Sequence, residues 1–144
     1  MRKSILAVLI FAWIFVVVAS AQDQPKTTIK HVPIKATSAA SGQEMFKNYC
    51  AACHGADAKG TGPAASALKT APSDLTSLAK KNGGKYPALK VAAILRGEAT
   101  VAAHGSKDMP VWGNLFWTMS AGHESEVQQR IANLNKHIES LQQK

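Results

Sequence analysis

The sequence predicts a small all-α domain, and three observations carry that expectation. A helix-start signature opens at Ser41; an apolar seam at steps of four, three, four and three runs through Val127, Ile131, Leu134, Ile138 and Leu141; and no strand-like alternation or internal repeat persists. The seam covers two heptads, short of the three or four that mark a coiled coil, so it points to packing within the domain.

The chain has 144 residues, and its start reads as an export signal rather than as part of the fold. Arg2 and Lys3 precede an apolar run from Ile5 to Ala19, and Ala19-Ser20-Ala21 has the small-x-small pattern of a cleavage site, which predicts a mature chain from Gln22. The rival expectation is an uncleaved anchor, because Ser4 to Ala21 is an uncharged stretch at the lower length limit for spanning a bilayer. Membrane contact is expected only if residues 1–21 stay attached, and the location expected is the periplasm. Residues 22–40 mix Pro, Thr, Ser, Ala and Lys without period and predict a flexible leader. Residues 41–144 form the expected single domain, of a size to bury a modest core.

Within that domain, Ser41-Gly42-Gln43-Glu44 matches a capping box, and Met45, Phe46, Tyr49, Cys50 and Cys53 follow at helical spacing. A Gly-rich turn from Gly55 to Pro63 comes next, then short helices around 64–69 and 74–81 between Pro72, Gly83 and Gly84. Pro87 suits the first turn of a helix through Val91, Ile94, Leu95 and Arg96, with Gly97 as its left-handed cap. Residues 98–122 read as loop. Glu124 and Glu126 near the start of the last helix, and Lys144 at its end, suit the macrodipole.

The chemistry is concentrated in Cys50-Ala51-Ala52-Cys53-His54. On a helix these three side chains fall on one narrow face, so two thiols reach the vinyl groups of a porphyrin while the imidazole reaches its iron. A redox dithiol and a zinc site are the competing readings. The first lacks its βαβ setting and the second lacks a further pair of Cys or His at close spacing. Two cysteines three apart make a poor structural disulfide, so one covalent haem c explains the pair better.

A second iron ligand decides between carrier and catalyst. Met45 shares the helix of His54 and cannot cross the ring, which leaves Met109 and Met119. Met109 sits in Lys107-Asp108-Met109-Pro110-Val111-Trp112-Gly113, where Pro110 restricts the backbone on both sides of the peptide. Met119 lies among aromatics and suits core packing. His104 and His123 are the remaining alternatives, which would make the iron bis-His, whereas His/Met ligation raises the reduction potential.

Gly42-x-x-x-Phe46, Cys50-Ala-Ala-Cys53-His54-Gly55, Gly62-Pro63, Met109-Pro110-x-Trp112-Gly113 and the terminal helix together resemble class I c-type cytochromes, the bacterial monohaem electron carriers, over about residues 41 to 142. The resemblance implies a small cytochrome c fold whose first and last helices cross around one haem. It implies thioethers at Cys50 and Cys53, His54 as proximal and Met109 as distal ligand, and a Pro63 carbonyl accepting from the proximal imidazole. It also places Gly42 at the helix crossing and Phe46 against an aromatic residue, a position held here by His137. Trp112 is expected against the haem or as core filling, and Arg96 is a candidate partner for a propionate.

The function expected is a monohaem electron carrier between periplasmic or membrane redox proteins, and not an enzyme; the alternative is the electron-entry cytochrome subunit of a larger dehydrogenase or oxidase. Removing Arg2 and Lys3 leaves 15 basic and 9 acidic residues, so a monomer with a basic surface is expected to meet donor and acceptor proteins through acidic docking surfaces. Nucleic acid is excluded as a partner by the mild charge, the export signal and the lack of basic stretches interleaved with aromatics.

Overall fold

The computed structural model describes residues 34–99 and 111–143. The expected signal at 1–21, most of the leader, His31, His104, Met109 and Pro110 lie outside the described residues.

The first helix begins where the capping box predicts, at α1 (Gly42–Met45), with the Ser41 hydroxyl accepting from the Glu44 amide at 3.1 Å. The Glu44 carboxylate accepts from the Ser38 amide at 3.3 Å rather than from Ser41, whose own amide bonds the Ser38 carbonyl. The helix then widens into a π-helical turn (Phe46–Cys50), in which the Ala51 amide bonds the Phe46 carbonyl five residues back, and continues as α2 (Ala51–His54). Such single-turn expansions concentrate at functional sites.

Two 3₁₀ turns (Ala65–Ala67 and Leu75–Ser77) and the short α3 (Leu78–Lys81) occupy the regions expected to hold brief helices. The Asp74 carboxylate caps the second turn by accepting from the Thr76 amide and hydroxyl, and those bonds hold its carboxyl below the usual range. α4 (Ala88–Arg96) follows Pro87 and ends at Gly97, whose φ of 81° and ψ of 14° give the left-handed cap.

The segment read as loop contains a helix, α5 (Trp112–Met119). Its sequence, WGNLFWTM, carries Gly113 and Asn114 in the first turn and has no side-chain cap, so local start signals are weak. Tertiary packing forms it instead: Trp112 and Phe116, one turn apart, are buried together. Met119 packs at the edge of that core, as expected.

α6 (Glu124–Ser140) is the element on which α1, α4 and α5 all rest. Val127, Ile131, Leu134 and Ile138 are buried along it, as the seam predicts, while Leu141 caps its end and is partly buried. Gln142 and Gln143 then tie the C-terminus to the middle of the chain, Gln142 bonding the Leu75 carbonyl and the Ala79 amide and Gln143 bonding Thr76. The described residues contain no strand, and no helix among them is long and apolar enough to cross a membrane.

At the crossing of α1 and α6, a β-carbon on Gly42 would collide with the Asn133 carbonyl oxygen and stand 2.9 Å from the His137 β-carbon. Only glycine lets the two backbones approach this closely. The Phe46 ring meets His137 with centroids 5.3 Å apart and a tilt of 57°, so imidazole takes the aromatic contact that the family resemblance assigns there.

Residues 35–39, read as the end of a leader, make specific contacts with the domain. Thr37 is buried, and its carbonyl accepts from the Arg130 guanidinium at 3.0 Å; the Ala39 carbonyl accepts from Asn133. Arg130 is itself buried, and it also donates to Ser120 and pairs with Glu126 at 2.6 Å. A buried guanidinium demands acceptors, and this strap of backbone supplies one of them.

Candidate haem site

Cys50, Cys53 and His54 sit at the junction of the π-helical turn and α2, with Cys50 and His54 buried and Cys53 partly exposed. α2 ends with four carbonyls lacking intrahelical partners, and each finds one: Ala51 from the Gly55 amide, Ala52 from Ala64, Cys53 from Gly62, and His54 from Gly60, at 2.7 to 3.0 Å. The Gly-rich stretch therefore works as a C-terminal cap for the motif.

The same loop sets the imidazole. His54 Nδ1 lies 3.0 Å from the Ser73 carbonyl oxygen, so Nδ1 carries the proton and donates, which puts the ring lone pair on Nε2. Ser73 reaches this position because Gly60, at φ 84°, lets the loop close on Pro72, where a β-carbon would strike the Pro72 carbonyl oxygen. The Leu75 amide, bonded to the Ala58 carbonyl at 2.8 Å, fixes the other side. The family resemblance points to Pro63 as the acceptor; here Ser73 takes that part, because the approach at Gly60 brings it to the ring.

Cys50 and Cys53 are not joined in a disulfide. Burial, reinforced by the neighbouring Cys53, pushes the Cys50 thiol up to about 12. Cys50 is thus a buried thiol of low reactivity. Among the described residues no three His, Cys, Asp or Glu side chains are placed to hold a metal ion.

Trp112 is buried and stacks on Tyr49, with centroids 5.3 Å apart and planes 26° apart, and tilts against Phe116. Arg96 is engaged with Gln128 at 3.2 Å and Glu98 at 3.6 Å. The His123 side chain is exposed, with Nδ1 2.7 Å from the Ser120 carbonyl. Sequence reasoning missed Ser73, whose backbone carbonyl carries no residue-type signal.

An all-helical domain whose first and last helices cross at glycine, carrying Cys-x-x-Cys-His on a capped turn, defines a c-type cytochrome. A family model described as cytochrome c oxidase, cbb3-type, subunit III, matches residues 37–121, more than half of the chain, and the chain belongs to that family. The match opens at Thr37, the residue bonded to Arg130, and spans Met109. Comparison with curated proteins and with solved structures gives no match. Membership brings covalently bound haem c with its iron and makes this an electron-transfer haem protein. The turn fits that group: two thiols, one of them buried, lie beside an imidazole whose protonated nitrogen is already engaged.

Proposed function

We propose that this protein is a monohaem carrier that shuttles single electrons between redox proteins of the periplasm or its membrane. Cys50 and Cys53 tether the porphyrin, His54 supplies the proximal nitrogen and Met109 the distal thioether. The His54–Ser73 hydrogen bond is the observation that carries the reading. It holds the ring in the metal-binding tautomer, fixes its orientation and raises its donor strength. Haem iron supplies reversible one-electron oxidation. If His54 and Met109 both held the iron, no position would be left on it for substrate. Export through residues 1–21 and docking against acidic partner surfaces belong to the same reading.

The family description favours a second reading, an electron-entry cytochrome subunit of a larger oxidase or dehydrogenase complex. Purification from native membranes separates the two: a carrier is recovered alone, a subunit with its complex. For the site, haem is expected to stay with the denatured wild-type chain and to be lost from a Cys50→Ala, Cys53→Ala variant. Met109→Leu is expected to abolish the iron–thioether absorption band of the oxidised protein, and its survival would transfer the distal role to another residue.

A further inference from the structure

Tyr49 immediately precedes the first cysteine of the motif, and the role already described leaves it without a task. Its hydroxyl donates to the Lys35 carbonyl at 2.7 Å and lies 2.8 Å from the Thr37 hydroxyl, which therefore donates to it. The Thr37 oxygen accepts in turn from Arg130 at 3.3 Å. A single directed chain thus runs from a buried guanidinium through Thr37 and Tyr49 to the Lys35 carbonyl, each link polarising the next. The ring of Tyr49 meanwhile stacks on Trp112 and tilts against Phe116, with centroids 5.3 and 6.2 Å away. Trp112 is the first residue of α5 and stands three positions after Met109 in the chain.

We propose that Tyr49 is a positioning residue for the iron site: held by the strap at its hydroxyl, it fixes Trp112 with its ring and so anchors the backbone leaving the Met109 segment against the turn that bears Cys50. The inference rests on Met109 being the distal ligand. Tyr49 acts by holding two chain segments together, the turn that bears Cys50 and the start of the helix that follows Met109 in the sequence.

Imidazole titration of the oxidised holoprotein, followed by loss of the iron–thioether band, tests this. Tyr49→Phe keeps the stack and loses the hydroxyl bonds, and is expected to raise the apparent imidazole affinity about three- to fivefold. Tyr49→Ala loses both and is expected to raise it about tenfold or more. The comparison variant is Tyr86→Phe, which removes a part-buried tyrosine hydroxyl bond elsewhere in the domain, to Asn135 at 2.6 Å, and is expected to lower overall stability without changing imidazole affinity. Should Tyr49→Ala fail to fold, Tyr49→Phe decides alone. Unchanged affinity in the Tyr49 variants, or an equal rise in Tyr86→Phe, overturns the inference and leaves the ligand assignment standing. A band that survives Met109→Leu overturns both.

Discussion

Gly42 and Asn133 meet backbone to backbone: the space where a Gly42 side chain would begin is filled by the Asn133 carbonyl, its carbon 2.7 Å from the ideal β-carbon position. Neither group can yield without moving a helix. Gly42→Ala is therefore expected to lower the unfolding free energy by about 2–3 kcal/mol, despite alanine's better helix propensity. Urea unfolding measures this, and a gain in stability would show that the helices do not cross at this distance in solution.

Arg130 offers a second test, because its guanidinium is buried and serves three separate segments. Arg130→Met keeps the bulk of the stem and removes every donor, leaving the Thr37 and Ser120 acceptors short of partners. The expected cost is about 2–3 kcal/mol. Amide exchange should also quicken across residues 35–39 ahead of the rest of the domain, whereas uniform loosening would refute a specific tether.

His137 makes stability depend on pH. Burial against Phe46 holds its pKa below the ordinary histidine value of 6.5. The unfolded chain then binds the proton more readily than the folded one, so stability falls as pH drops through about 6.5 and levels off below the folded pKa. His137→Phe removes the titration and keeps the ring contact. The difference in melting temperature between variant and wild type should widen as pH is lowered from 7 to 5, and a constant difference would exclude the coupling.

At the site itself, Gly60→Ala places a β-carbon into the Pro72 carbonyl and pushes Ser73 away from His54. A weaker hydrogen bond at Nδ1 lowers the donor strength of the imidazole and favours the ferrous state. The reduction potential is expected to rise while covalent haem is retained. A fall, or no change, would mean that the Ser73 carbonyl does not tune the ligand.

Much of this was readable from residue order where the controlling interactions are local. The Ser41 hydroxyl cap, the Pro87-to-Gly97 helix and the buried row Val127, Ile131, Leu134 and Ile138 each announce themselves within one or two helical turns. So does the Cys50–His54 motif. α5 was not legible, because Trp112 and Phe116 are made helical by neighbours distant in sequence. Ser73 escaped for a related reason: its carbonyl is delivered by the close passage of Gly60 and Pro72, a fact of three dimensions. The contacts of residues 35–39 depend on Arg130 and Asn133, far down the chain, while their own composition reads as a loose leader.

That last separation bears on the order of assembly. Arg130 follows Thr37 by 93 residues and Asn133 follows Ala39 by 94. In a chain made from its N-terminus, the first part of the domain to appear therefore cannot make these bonds until α6 exists to receive them. Closing a loop of that length carries an entropic cost that shorter-range contacts do not bear. Until then the cysteine turn, whose capping bonds are all local, is shaped while the chain before it is still unattached.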